Sequence, residues 1–225
     1  MKKFELTAES KIFAGKKLFR IKALISFGNV EEGELGGFVE KEENLDQSGD
    51  AWVSDNAWVY GDAWVSGNAR VYGNAWVSDN ARVSGNAWVS DNARVSGDAW
   101  VSDNAWVYGD AWVSDNAWVY GNAWVSDNAR VYGNAWVSDN ARVSGDAWVS
   151  DNVDYATVHG FGSEYRTTTF FRTKAGDIGV RCGCFYGTLE EFRAKVKETH
   201  GETKTAKEYL MVADLMEFRF SKEEA

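Results

Sequence analysis

The sequence predicts an all-β protein organised around a β-solenoid, a stack of coils made of short parallel strands. Residues 50–151 form seventeen consecutive six-residue units without an insertion: Asp or Asn, Ala, Trp or Arg, Val, Ser or Tyr, and finally Gly or Asp. All 12 Trp of the chain lie in this segment, and the chain contains no Pro. A unit this short cannot bury its apolar side alone, so stacking on neighbouring units must supply the missing contacts.

Each hexad predicts one short strand and one corner. Ala and Val stand two residues apart, and residues two apart on a strand point the same way. We therefore expect Ala and Val to face a thin core, and Trp or Arg to face outward together with Ser or Tyr. The pair that follows, such as Asp55-Asn56 or Gly73-Asn74, is typical of a turn, because Gly and Asn adopt the left-handed backbone region at little cost.

A twelve-residue alternation predicts how many hexads make a coil. In every second hexad the outward residue is Trp, and in the others it varies between Trp and Arg. Coils of two hexads would stack Arg70, Arg82 and Arg94 directly at about 4.8 Å, and like charges so close are unfavourable. Triangular, eighteen-residue coils of three hexads instead set Arg70 between Trp52 and Trp88 and give each interior Arg cation–π partners worth about 0.5–1 kcal/mol. Asp and Gly alternate at the corners in the same way. Gene duplication of a twelve-residue unit would leave the same alternation, so the two-hexad coil stays the alternative.

The flanks predict a cap at each end. Residues 1–49 contain two strand-like runs, 4–6 and 18–25, and a turn at 27–29. Apolar residues six apart then lead into the perfect hexads, as a capping segment would: Val39, Leu45 and Ala51. After the hexads the register breaks, and we place the end of the solenoid at residue 160.

Residues 161–225 predict a small α+β domain of the order ββααβ. Two strands are expected at 167–173 and 178–186. The capping box that starts at Thr188, together with a Gly at 201, predicts the two ends of a helix. A second helix is expected at 205–213 and a last strand at 216–220.

The unit 71–76, read from its Val, resembles the hexapeptide repeat of left-handed parallel β-helices, with an aliphatic residue first and a small residue fifth. That resemblance implies a left-handed triangular coil. The passage 35–53 resembles the YdcK-type β-solenoid family, whose members are described as acetyltransferases because of their fold. The tail at 181–187 is similar to that of solenoid proteins of bacteriophages and prophages, and that resemblance implies no assigned chemistry.

The charge of the chain is concentrated on the repeat. Residues 50–151 hold thirteen Asp against five Arg, so they carry about eight of the ten net negative charges. An acidic rod disfavours direct binding of a nucleic-acid backbone. Two cysteines, and a start of the chain that lacks a signal peptide, favour a cytoplasmic protein without a membrane segment.

The outward Trp and Arg side chains are the predicted interaction surface, since both residue types are enriched in binding hot spots. The alternative is that the stacked indoles and Arg stems only cover the thin core. The residues are Trp52, Trp58, Trp64, Arg70, Trp76, Arg82, Trp88, Arg94, Trp100, Trp106, Trp112, Trp118, Trp124, Arg130, Trp136, Arg142 and Trp148.

The sequence predicts no catalytic residue, cofactor or metal. An acetyltransferase would need a general base, usually His, but no hexad contains one, and His159 and His200 follow the repeat. Cys182 and Cys184 are expected to be core thiols rather than half of a zinc site, because a second pair of ligands is missing.

We therefore predict a non-enzymatic structural or protein-interaction element of phage or prophage type that self-associates or binds a host or phage protein. One alternative is a phage counter-defence protein that sequesters a host protein or a nucleotide, or that mimics DNA with its regular negative charge. Another is a hexapeptide-repeat acetyltransferase.

Overall fold

A computed structural model, which describes residues 2–221, shows a three-sided β-solenoid with a cap at each end. Three strands precede the hexads: β1 (Phe4–Phe13), β2 (Lys16–Ala23) and β3 (Leu35–Val39). Every hexad then contributes one two-residue strand, which gives β4 to β20: Trp52–Val53, Trp58–Val59, Trp64–Val65, Arg70–Val71, Trp76–Val77, Arg82–Val83, Trp88–Val89, Arg94–Val95, Trp100–Val101, Trp106–Val107, Trp112–Val113, Trp118–Val119, Trp124–Val125, Arg130–Val131, Trp136–Val137, Arg142–Val143 and Trp148–Val149. A 3-10 turn (Asn152–Asp154), four strands and two α-helices follow in the described residues: β21 (Tyr155–Val158), β22 (Thr168–Arg172), β23 (Ile178–Cys182), β24 (Phe185–Thr188), α1 (Leu189–His200) and α2 (Lys204–Phe220).

The strand register confirms the triangular coil of three hexads. Trp88 pairs in parallel with Arg70 on one side and with Trp106 on the other, and each partner is three hexads away along the chain. The hexad strands fall into three sheets, one on each side of the prism. Seventeen hexads therefore make almost six turns, and a coil of two hexads is excluded.

The core contains Ala and Val, as the alternation predicts. Every Ala and Val of the hexad pattern between residues 51 and 149 is at most 1% exposed. The backbone is satisfied between coils, since Trp88 N donates to Ala105 O at 2.9 Å and Ser90 N donates to Val107 O at 3.0 Å. Small inward side chains keep the three sheets close together, so the prism has a narrow interior.

The corners lie where the sequence predicts them, but the prediction that Asn adopts the left-handed backbone is wrong. The left-handed backbone belongs to the Gly or Asp that ends the hexad, with φ of 63–72° for Gly61 to Gly145 and 55–60° for seven Asp. The Asn that follows is not left-handed; its side chain forms a ladder instead. Along one corner the amide of Asn68 donates to Asn86 at 3.0 Å, Asn86 donates to Asn104, Asn104 to Asn122, and Asn122 to Asn140.

Asp and Gly alternate along two corners, 55–145 and 61–151, for a steric and an electrostatic reason. The third corner begins with three Gly, at 49, 67 and 85, and alternates only from there. Asp79 accepts a hydrogen bond from Gly97 N at 3.2 Å. A Cβ on Gly97 would lie only 2.8 Å from the backbone nitrogen of Asp115 in the next coil. Gly therefore leaves room for its neighbour, and it also separates two carboxylates that would otherwise stack.

The N-terminal cap continues into the first coil. β1, β2 and β3 form an antiparallel meander, and β3 then pairs in parallel with the hexad strand of Trp58. Leu45 bridges to Val65 in the same parallel sense. The degenerate hexads before residue 50 are thus confirmed. β1 runs to Phe13, which is longer than the predicted run 4–6.

Lys3 closes the open end of the core. Its side chain is 2% exposed, and its ammonium donates to Ala51 O at 2.9 Å and to the carbonyls of Ser48 and Gly49 at 3.3 Å. Desolvation by burial lowers the pKa of Lys3 from its usual 10.5 to about 8, against the attraction of Asp46 and Asp50.

We expect Lys3→Met to lower the free energy of unfolding at pH 7 by about 2 kcal/mol, because it leaves buried carbonyls without a donor. Between pH 8 and 10 the folded protein releases this proton while the unfolded chain keeps it, so the stability of the wild type rises with pH. Urea denaturation should show that the free energy of unfolding of the wild type, relative to that of Lys3→Met, is larger at pH 9.5 than at pH 7. An equal pH dependence for the two proteins would contradict this account.

The C-terminal unit is ββββαα and not ββααβ. Strands β21 to β24 form an antiparallel meander, against which the helices pack. The start and end of α1 are as predicted, with a capping box between Thr188 and Glu191 and Gly201 at its C-terminus. The predicted last strand, 216–220, is wrong: α2 continues to Phe220, since its buried residues follow a helical period: Ala206, Tyr209, Val212, Ala213, Met216 and Phe220.

This unit docks directly on the last coils. Thr173 bridges to Ala147, Arg142 N donates to Thr169 Oγ1 at 2.9 Å, and Phe171 joins the solenoid core. The boundary predicted at residue 160 is too late, because Tyr155–Val158 already pairs antiparallel with β22. The last parallel strand is Trp148–Val149. Beyond it, Phe171 of β22 covers the end of the core.

Candidate functional site

The outward Trp and Arg side chains form three aromatic faces, one on each sheet. Face 1 contains Trp58, Trp76, Arg94, Trp112, Arg130 and Trp148. Face 2 contains Trp52, Arg70, Trp88, Trp106, Trp124 and Arg142. Face 3 contains Trp64, Arg82, Trp100, Trp118 and Trp136. All seventeen predicted surface residues are thereby brought into three ladders.

Parallel indoles stack along the faces because the coils repeat at the spacing of β-strands, about 4.8 Å. On face 2 the ring centroids of Trp88 and Trp106 are 5.0 Å apart with planes at 1°, and those of Trp106 and Trp124 are 5.3 Å apart with planes at 8°. On face 3, Trp118 and Trp136 stack at 5.2 Å with planes at 13°. Aromatic pairs of this kind contribute about 0.5–1.5 kcal/mol beyond the area they bury.

The predicted pairing of Arg with Trp is confirmed, but the cation–π contacts form at only some positions. Arg94 lies 4.5 Å from the ring of Trp76, and Arg142 lies 4.4 Å from that of Trp124. Arg130 lies 5.4 Å from the rings on both sides of it, Trp112 and Trp148.

Two Arg residues depart from this prediction. Within residues 2–221, neither Arg70 nor Arg82 makes a cation–π contact. Arg70 pairs in register with Trp52, but that indole is only 2% exposed because Phe4 and Phe27 cover it. Its ring face is therefore occupied by the cap and not by a guanidinium.

The three faces differ in how much of them the caps cover. Phe13 of β1 packs on Trp58 and Trp76 of face 1, with ring centroids 4.3 and 4.7 Å away. The start of face 2 is covered at Trp52. Face 3 carries three strongly exposed indoles, one at its start and two in neighbouring coils at its end: Trp64 at 41%, Trp118 at 38% and Trp136 at 48%. Face 3 is thus the most open of the three along its length.

Sequence reasoning missed a second apolar surface, on α2. Met211, Leu215 and Phe218 are 71, 56 and 79% exposed and lie on one side of the helix. Leu215 also lines a cleft together with Trp136, so this helix borders the end of face 3. The spacing of four and three residues between these side chains indicates one face of a helix, but the sequence analysis assigned 216–220 to a strand and so missed it.

The thiols and imidazoles lie in the C-terminal unit, away from the hexads. Cys182 is half-buried and accepts a hydrogen bond from Thr168 Oγ1 at 3.2 Å, whereas Cys184 is exposed. The prediction of two core thiols is wrong for Cys184, because β23 ends at Cys182 and the next residues turn. His159 contacts Thr167, and His200 stacks on Tyr209. Within residues 2–221, no three His, Cys, Asp or Glu side chains gather as a metal site requires.

Comparison with known proteins finds a family model that matches parts of the repeat. The family model "YdcK Beta solenoid repeat" matches residues 63–79, 75–91, 87–103, 123–139 and 137–151. No curated protein matches the chain. Of the helices that residues 2–221 form, none has the length and apolarity needed to cross a membrane.

Proposed function

We propose that this YdcK-type β-solenoid repeat protein is a non-enzymatic structural element of phage or prophage origin that self-associates through face 3. The observation that carries the proposal is the open row of Trp64, Trp118 and Trp136. Monomeric proteins rarely expose contiguous apolar patches larger than a few hundred Å². Trp is also the residue type that most often anchors an interface.

A second copy of the chain is the partner that suits this face. The hexad strands present their outward side chains at a constant spacing, so two faces can pack ladder against ladder over several coils. The cap leaves face 3 open at its start, and Leu215 of α2 adds apolar surface at its other end. An isologous pair of such faces forms a closed dimer.

Charge opposes this association, and the opposition is testable. The chain carries a net charge of −10, so two copies repel each other at low ionic strength. Salt screens that repulsion while leaving the burial of indoles largely intact. We therefore expect dimerisation to strengthen as salt is raised.

Analytical ultracentrifugation of the wild type and of Trp118→Arg tests the proposal. Arg occupies the equivalent place in five hexads, so the substitution is compatible with the coil. We expect the wild type to be dimeric and the dimer to tighten between about 50 and 500 mM salt, values chosen to span the screening range. Trp118→Arg should weaken the dimer at least tenfold, as expected for the loss of an interface hot spot.

Trp106→Arg on face 2 is the matched control, because this indole is also the middle member of a run of three Trp. It should leave the dimer unchanged. A wild type that stays monomeric at all salt concentrations, or equal weakening by the two substitutions, would rule out face 3 as the interface.

The absence of His from the hexads supports the non-enzymatic assignment, since acyl transfer needs a general base near its substrate. Titration with acetyl-CoA tests it: saturable binding that depends on residues of the coils would contradict the proposal. Two free thiols support a cytoplasmic location.

A further inference from the structure

We infer that a cleft between the last coil and the C-terminal unit binds a small nucleotide, with its phosphates on three arginines and its base in an adjoining apolar cavity. This site includes Arg142, the last residue of face 2, but it contains no residue of face 3 and does not depend on the proposed self-association. Its walls come from β19, β23 and the segments beside β22 and β23.

The basic half of the cleft has a volume of about 660 Å³ and is lined by Arg142, Arg166, Arg181 and His159. None of the carboxylates that the structure describes lines it. Among the ion pairs formed by residues 2–221, one joins Arg166 to Glu164 at 3.5 Å, and none includes Arg142 or Arg181. Guanidinium groups left without carboxylates are the usual receptors for phosphate, which they bind through two parallel hydrogen bonds.

The fold fixes these arginines in place. Arg142 rests on the ring of Trp124 at 4.4 Å, and its backbone nitrogen is bonded to Thr169. Arg166 lies against the turn after β23, where a Cβ on Gly183 would come within 2.8 Å of its guanidinium nitrogen. The backbone of Arg181 is held in the pairing between β22 and β23. Preorganised side chains lose less conformational entropy when they bind a ligand.

The second half of the site is mainly apolar, although Glu164, Lys195 and His200 also line it. A cavity of about 290 Å³ lies between the meander and the helices, lined in part by Phe185, Phe192, Val196 and Tyr209. Arg166, Gly183 and Cys184 line both cavities, so the two adjoin each other. Together they have the size of small-molecule sites, roughly 300–1,000 Å³.

A ligand that fills both halves must carry several negative charges at one end and a flat apolar group at the other. A nucleoside diphosphate has this chemistry. A bare polyphosphate would use only the basic half, and a nucleoside without phosphate would use only the apolar half. A single-stranded oligonucleotide would need a groove open at both ends along its backbone.

Calorimetric titration of the full chain with ADP, adenosine and pyrophosphate tests the inference. We expect ADP to bind more tightly than either of the others and to weaken as salt increases. Arg181→Gln should weaken ADP binding about tenfold or more, because it removes a charge-assisted hydrogen bond. Arg130→Gln on face 1 removes the same charge elsewhere and should have no effect.

A second measurement avoids substitutions altogether. Cys184 is exposed and lines both cavities, so bound ADP should slow its alkylation several-fold while adenosine does not. The inference is overturned if ADP shows no saturable binding or does not protect Cys184. It is also overturned if pyrophosphate or a short oligonucleotide binds as tightly as ADP, or if Arg130→Gln weakens binding as much as Arg181→Gln.

Discussion

Deleting residues 98–115, one whole coil of three hexads, will destabilise the protein more than its length alone accounts for. Two other deletions provide the comparison: the two hexads 98–109, which repeat the sequence of 110–121, and the four hexads 98–121. Stability in a solenoid is roughly a sum over repeats and their interfaces. A simple sum would therefore place the three-hexad deletion halfway between the other two.

The three deletions differ in which residues they stack on one another in neighbouring coils. Removing two or four hexads preserves the alternation, so Asp91 still stacks on a Gly and Arg94 on a Trp. Removing three hexads stacks Asp91 on Asp127 and Arg94 on Arg130. The Asp pair combines like charge with the steric conflict that Gly now avoids, and we expect an added loss of about 1–3 kcal/mol.

Urea denaturation followed by Trp fluorescence measures this series. The free energy of unfolding of the three-hexad deletion should fall below the line that joins the values of the two- and four-hexad deletions. If the three deletions lie on one straight line, the alternation of Asp with Gly and of Arg with Trp has no energetic role and records gene duplication only.

Gly97→Asp will be among the most destabilising single substitutions of the solenoid, at about 2–4 kcal/mol. The new Cβ approaches the backbone of Asp115 to 2.8 Å. The new carboxylate stands between Asp79 and Asp115, where like charges raise its pKa above the usual value of about 3.9. The left-handed backbone itself is tolerable, since seven Asp adopt it at other corners.

Two further variants separate the causes. Gly97→Asn keeps the shape without the charge, and Gly176→Asn places the same residue at positive φ, where its Cβ meets no described atom within 4 Å beyond its chain neighbours. We expect the loss to be largest for Gly97→Asp and smallest for Gly176→Asn. The gap between Gly97→Asp and Gly97→Asn should be present above about pH 5 and close as the carboxylates are protonated below their usual pKa of about 3.9. Equal losses for Gly97→Asp and Gly97→Asn at pH 7 would assign the loss to sterics alone. A gap that persists at pH 3, where these carboxylates are mostly protonated, would contradict the electrostatic account.

Face 3 and the basic cleft are separate sites on the same molecule. Face 3 ends near Trp136 and α2, whereas the cleft opens beside Arg142 and the turn at Gly183. A dimer through face 3 thus does not require the cleft, and substitutions at Trp118 and at Arg181 should act independently. Their additivity can be measured in the double variant.

The candidate site could be read from the sequence only in part. The outward position of all the Trp and Arg residues follows from the alternation with Ala and Val. The unequal exposure of the three faces does not, because Phe13 and Phe27 reach the indoles through the folding of the cap. The basic cleft was also out of reach, since Arg142, Arg166 and Arg181 come from three separate segments. The apolar stripe of Met211, Leu215 and Phe218 on α2 could have been predicted from its helical spacing, but the wrong assignment of a strand to 216–220 prevented it.

The sequence by itself determined the solenoid and its inward Ala and Val, because the repeat imposes one local conformation. It favoured a coil of three hexads, because like charges stack unfavourably. Only the tertiary structure excluded the coil of two hexads and decided the two ends. The caps are single, irregular segments whose form depends on which coil surface they cover: Lys3 on the carbonyls at 48–51, and Phe171 over the last coil. A periodic pattern specifies contacts between repeats, and it contains no information about the place where the repeat stops.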